Sequence, residues 1–228
     1  MERIDIFSIP IYKFKFEQHD DLKESFLSYI KRHESLVNNT RVNTLMFTHP
    51  NLYKEELFKP FVDFANKNLQ SVMNDLGYIP SIEITGMWAT HQQNNGRHHK
   101  HVHSNSFLAG VYYLEGNEMT PGTNFFNTHQ YFNVIRPAIN GSSLRFKNNY
   151  KTKFEESMLY IFPAWLQHNT DVNDFERTRS YRTTLSFNSM PVGKTNTDEF
   201  DRYNYQSVMN ADMINTMHDI KKMNSSTK

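Results

Sequence analysis

Over residues 11–16 apolar and charged positions alternate, Tyr12, Phe14 and Phe16 against Lys13 and Lys15, which predicts a strand with one buried face. The period then lengthens. Leu22, Phe26, Leu27 and Ile30 recur at helical spacing behind Asp21 and Glu24, whose three-residue separation predicts a helix cap at Asp21. A second stripe of Phe61, Phe64, Ala65, Leu69, Val72, Met73 and Leu76 is entered at Pro60, which suits a first helical turn, and closed by Gly77. Residues 41–51, between the two helices, read as loop. Both stripes are expected to pack on the outside of a sheet.

From Ser81 the period returns to two, with Ile82, Ile84 and Trp88 expected on one face and Glu83, Thr85 and Met87 on the other. Further strands are predicted near 107–114, 123–127, 131–135, 157–162 and 181–188. Gly116-Asn117, Pro121-Gly122 and Asn140-Gly141 supply turns. Many short strands with such punctuation argue a sandwich or jelly roll, so the fold class is mainly β with flanking helices. One structural domain is expected, in three parts: an N-terminal strand and helices (1–80), a β core (81–190) and a C-terminal helical extension (191–228). In the last part Val208, Met209, Met213, Met217 and Ile220 recur at roughly helical spacing, ahead of a frayed end at 224–228. Residues 147–153 are polar and expected to be exposed, bordering an entrance.

A chain of 228 residues with 38% hydrophobic content can bury one substantial core. Its net charge of +1 gives no global field toward nucleic acid or an anionic membrane. No apolar run approaches the roughly 20 residues of a membrane span, and Met1-Glu2-Arg3-Ile4-Asp5 lacks the apolar core of a signal peptide, so a cytoplasmic location is expected. The absence of cysteine removes disulfides and thiolate ligands. Chemistry therefore falls to imidazole, carboxylate and hydroxyl groups.

Four of the eleven histidines fall in Arg97-His98-His99-Lys100-His101-Val102-His103. In an extended strand His101 and His103 project to one side and can close on one metal ion, with Val102 on the other side. His98 and His99 read as loop residues. A third ligand is required, and His168, in Phe162-Pro163-Ala164-Trp165-Leu166-Gln167-His168, is the best placed. Imidazole suits Fe(II), Zn(II), Cu(II) or Ni(II). Farther on, Arg182, Thr184, Ser186 and Asn188 share one strand face, and Tyr181, Thr183, Leu185 and Phe187 the other. A guanidinium flanked by hydroxyls suits the carboxylate of a ligand. Plainer readings are a surface histidine cluster, a satisfied core His168, a packed strand aromatic at Tyr113, and an Arg182 paired with an acid such as Glu176. Asp171 and Glu115 are the nearest candidates for a carboxylate ligand and read as solvated turn residues.

The order of these groups resembles the Fe(II)/2-oxoglutarate-dependent dioxygenase superfamily, and within it a bacterial and bacteriophage branch. That branch carries His-x-His-Pro-Asn-Ser, Ser-Gly-Val-Tyr-Tyr-Leu, Phe-Pro-Ser-Trp-Leu-x-His and Arg-x-Ser-x-Ser-Phe-Asn. The corresponding blocks are His101-Val102-His103-Ser104-Asn105-Ser106, Ala109-Gly110-Val111-Tyr112-Tyr113-Leu114, Phe162 to His168, and Arg182-Thr183-Thr184-Leu185-Ser186-Phe187-Asn188. The resemblance is strong over 88–188 and loose over 7–12. It implies a double-stranded β-helix (cupin-like jelly-roll) core. It also implies Fe(II) held by His101, His103 and His168, with 2-oxoglutarate and O2 as co-substrates and hydroxylation as the outcome. Arg182, helped by Tyr113 and by Thr184 or Ser186, would hold the far carboxylate, and no catalytic residue beyond the metal ligands is implied. One departure stands out. The wider superfamily has an acid two residues after the first histidine, and here that place is held by His103, which leaves a bound metal more positive. Three histidines with an open position also form a catalytic zinc arrangement. A zinc enzyme on the same barrel and a non-catalytic metal-binding jelly-roll protein are therefore the alternatives. A peptide, a nucleotide and a small metabolite all stay open as substrate, in loops 92–99 and 127–150.

Overall fold

The computed structural model describes residues 8–36, 45–93, 95–128 and 147–192. In chain order these form β1 (Tyr12–Lys15), α1 (His19–His33), β2 (Ser35–Leu36), β3 (Leu45–Phe47), α2 (Lys59–Asp75), β4 (Ser81–Gln92), β5 (Leu108–Glu115), β6 (Pro121–Phe126), β7 (Asn149–Lys153), β8 (Met158–Pro163), β9 (His168–Thr170), α3 (Phe175–Thr178) and β10 (Arg182–Val192). A seven-stranded sheet runs β1-β8-β5-β10-β4-β3-β2, and a three-stranded sheet runs β7-β6-β9. Every strand pairing in both is antiparallel. The fold class is thus mainly β, a jelly roll with flanking helices.

The large sheet is covered on both faces, and β5 shows why its sequence is apolar throughout. Leu108, Tyr112 and Leu114 join the stripes of α1 and α2 in one core, while Ala109, Val111 and Tyr113 join Phe125 of the small sheet in a second. Each fully buried side chain of the α2 stripe, Phe61, Leu69 and Met73 among them, contributes about 1.5–3 kcal/mol by leaving water. Gly110 lies directly opposite Phe187 on β10, whose ring fills the place of a side chain: a Cβ at 110 would stand 2.1 Å from Phe187 Cζ.

Several expectations change. Helix α1 starts at His19, two residues before the expected cap, with Gln18 at its N-cap and no side-chain cap bond. His19 is drawn in because its Nδ1 meets the Tyr112 hydroxyl at 2.6 Å in the core. Residues 45–47, expected as loop, are a strand because β4 offers them a ladder, and 149–153 likewise pair with β6. On β4 the alternation breaks. Asn188 pairs with Gly86 and Ser189 with Ile84, so Thr85 is the extra residue of a bulge. Beyond it the faces exchange: Met87 and Ala89 join Ile82 and Ile84 in the helix-side core, and Trp88 turns to the inside of the roll. The strand expected at 131–135, the turn at Asn140-Gly141 and the C-terminal helix lie outside the described residues. No helix among the described residues is long and apolar enough to cross a membrane.

Candidate active site

After β4 the chain turns at Asn95, whose φ of 61° is left-handed, and runs back along the free side of β9. His101 and His168 sit directly opposite, each N–H donating to the other's carbonyl at 3.0 Å. His103 N–H donates to the Ala164 carbonyl at 2.9 Å. A short ladder therefore brings the first histidine beside one that is 67 residues later in the chain (168 − 101). Val102, between the pair, points to solvent.

The ring nitrogens of the three histidines have divided roles. Nδ1 of His101 donates to the His99 carbonyl at 2.7 Å, Nδ1 of His168 to the Leu166 carbonyl at 2.9 Å, and Nδ1 of His103 to Asn188 Oδ1 at 2.6 Å. With Nδ1 the protonated nitrogen, each ring keeps a lone pair on Nε2. Those of His103 and His168 face each other at 3.2 Å, and one ligand atom from each of the three rings lies within 4.8 Å of the others. Facing lone pairs repel and call for a cation between them, and fixed Nδ1–H donors are what metal-bound histidines carry. The donor set fits a divalent ion of imidazole preference. Burial holds His168 down to about 3 and His103 down to about 4, despite the opposing Asn188 bond, so both are neutral and ready to ligate at neutral pH.

Arg182 opens β10 with its side chain in the same cavity, 2% exposed. Its Nε donates to the Pro121 carbonyl at 2.9 Å and its Nη1 to Gln92 Oε1 at 2.7 Å, while Nη2 is buried without a partner. Burial lowers its pKa only to about 10, so the guanidinium is charged. Glu176, the acid that sequence suggested for it, pairs with Arg179 instead. Thr184 and Ser186 line the cavity beside it. Tyr113 stands beside Arg182. Its hydroxyl is taken by Thr123 and Thr152, and its ring lies 5.6 Å from the guanidinium carbon as a platform beneath it. Asp171 is bound to Lys151 and Glu115 to Thr183, so neither approaches the histidines. No carboxylate side chain lines the cavity among the described residues.

Trp88 and His98 in the cavity, and Asn188 behind His103, are placed there by the fold and not by the sequence pattern. Trp88 stacks near His103, with ring centroids 6.0 Å apart, because of the β4 bulge. His98, read as a loop residue, lines the cavity 5.2 Å from the His101 ring, its backbone N–H held by Thr170 Oγ1 at 2.9 Å. Burial first, then His101 and Arg182, hold it down to about 3. The alternation of β10 predicts the face that Asn188 takes, and its reach to His103 comes from the fold.

A family model described as "Putative 2OG-Fe(II) oxygenase" matches residues 86–188, the span that contains all these groups. No match was found among curated proteins. Among solved structures, the fold is similar to the non-heme alpha-ketoglutarate-dependent epimerase SnoN of nogalamycin biosynthesis (TM-score 0.59, 8% identity, 81% of this chain and 80% of that one). It is similar also to HygX from Streptomyces hygroscopicus with nickel and 2-oxoglutarate bound (0.55, 11%, 81% and 84%). A Pseudomonas putida prolyl-4-hydroxylase gives 0.54 at 8% identity, over 79% and 92%. Over residues 86–188, which hold most of the strands of the jelly roll and the histidine cluster, the chain is similar to the Fe(II)/2-oxoglutarate-dependent oxygenases.

Proposed function

We propose that His101, His103 and His168 hold Fe(II), that Arg182 binds the distal carboxylate of 2-oxoglutarate, and that the outcome is hydroxylation of a C–H bond. The observation that carries this reading is the pair of unmet demands in one cavity: one ring nitrogen from each of three histidines within 4.8 Å of the others, and a buried guanidinium with Nη2 free. Iron(II), 2-oxoglutarate and O2 together supply the oxidation, in which the keto acid becomes succinate and CO2 and one oxygen atom goes to substrate.

The protein's own part is positioning. The His99 and Leu166 carbonyls and Asn188 Oδ1 fix the three imidazole planes. Arg182 gives a planar, charge-assisted contact that sets the keto acid's reach, with Thr184 and Ser186 offering hydroxyls beside it. Trp88, Val111 and Phe162 wall the cavity with apolar surface that excludes water. His98, neutral, offers one N–H and one lone pair along the side between His101 and Arg182. The four ordered sequence blocks support placement in the bacterial and bacteriophage branch, and a cytoplasmic location fits that placement.

The test is succinate formation. Purified protein with Fe(II), 2-oxoglutarate and O2 is expected to release succinate, slowly without its own substrate, and His168→Ala is expected to release none above the metal-only background. Equal release by the two proteins contradicts the reading.

A further inference from the structure

We infer that Gln92 makes Arg182 selective for a keto acid bearing a second carboxylate, by holding the guanidinium with a neutral amide. The inference rests on the role of Arg182 proposed above.

Gln92 and Arg182 are direct partners in the β4–β10 ladder, so their side chains leave the sheet on the same face, next to each other. Gln92 is completely buried. Its Oε1 accepts from Arg182 Nη1 at 2.7 Å and from the Thr170 hydroxyl at 3.3 Å, and its Nε2 donates to the Gly96 carbonyl at 2.9 Å. With the Arg182 Nε bound to the Pro121 carbonyl, the guanidinium plane is fixed by two neutral acceptors. Orientation is complete, yet the charge is not cancelled, and Nη2 is left over. A buried cation without a counter-charge is strongly unfavourable unless a ligand brings the anion. Glutamate, of the same shape as glutamine, would bring that anion from within the protein.

The same amide joins the arginine to the histidines. Thr170 Oγ1, which donates to Gln92, accepts the His98 N–H, and Gly96 and His98 lead directly into His101. One hydrogen-bonded frame therefore sets both ends of the span a keto acid would bridge.

The experiment measures anaerobic binding of 2-oxoglutarate and of 2-oxovalerate, the five-carbon analogue without the distal carboxylate, to the Fe(II)-loaded full chain by visible absorption. The native protein is expected to prefer 2-oxoglutarate by about tenfold or more, the worth of one charge-assisted contact. Gln92→Glu is expected to reduce that preference to within about threefold through loss of 2-oxoglutarate affinity alone, and to regain part of it as the pH is lowered and the new acid is protonated. Gln92→Met, which keeps the volume and removes the acceptor, is expected to weaken 2-oxoglutarate and leave 2-oxovalerate unchanged. A native preference that survives in both variants overturns the role of Gln92, as does equal loss for both acids. A native protein without any preference overturns the role of Arg182 itself.

Discussion

The Nε2 atoms of His103 and His168 lie 3.2 Å apart, on rings only 9° from parallel. Since Nδ1 of each ring already donates to an oxygen, the contact sets lone pair against lone pair. Binding of a divalent ion relieves that repulsion, so Ni(II) or Zn(II) is expected to raise the melting temperature. At a hundredfold excess over Kd the gain is about 2.7 kcal/mol. His168→Ala is expected to abolish the metal-dependent rise, and thermal melts with and without chelator measure it.

Asn188 orients His103 through a 2.6 Å bond, and the β4 bulge opposite Asn188 and Ser189 marks where the sheet departs from regular pairing. Asn188→Leu keeps the size and removes the acceptor. Metal affinity is expected to fall about 10- to 100-fold, as for other partners of ligating histidines, with little change in metal-free stability. Calorimetric titration with Ni(II) reads both proteins, and equal affinities would remove Asn188 from the site.

Gly110 is required by the Phe187 ring seated on it. Phe187 is fully buried, so making way for a methyl group is costly, and Gly110→Ala is expected to destabilise by about 1–3 kcal/mol. Combined with Phe187→Leu, the loss should be smaller than the sum of the two single changes, because both act on the same space. Urea denaturation of the four proteins gives the comparison.

Glu156 ties α1 to the turn after β5, accepting from Lys23 at 2.7 and 2.8 Å and from Gly116 N–H at 2.9 Å, with His19 Nε2 at 3.5 Å. Burial alone would raise its pKa, but His19, Lys23 and Gly116 outweigh burial and bring it to about 2. A folded-state value below the ordinary 4.5 means a contribution fully present above about pH 4.5 and lost as the pH falls toward 2. In chelator, Glu156→Gln is expected to show a flatter fall of melting temperature over that window than the native protein. Parallel curves would contradict the assignment.

What the sequence revealed and what it hid follow from the range of the interactions. The alternation of Arg182, Thr184 and Ser186 against Leu185 and Phe187 is a local property of one strand, and the structure keeps it. His101, His103 and His168 are legible as a motif, and the ladder that unites them closes a long loop without altering their spacing. Trp88 takes the opposite face from the one its alternation predicts because a one-residue bulge reverses every later face and leaves no mark in composition. Helix α1 begins early, and 45–47 and 149–153 become strands, because partners distant in sequence supply the bonds. His98 and Gln92 gained their places in the same way, through Thr170 and Arg182.

Visible absorption of the anaerobic protein titrated with Fe(II) and 2-oxoglutarate tests most directly whether three imidazoles and one guanidinium form a single site. A charge-transfer band is expected only when both are present, absent in His168→Ala, and requiring about tenfold or more 2-oxoglutarate in Arg182→Lys, where the planar two-pronged contact is lost. A band that forms equally well in all three proteins, or none in the native protein, would contradict the account.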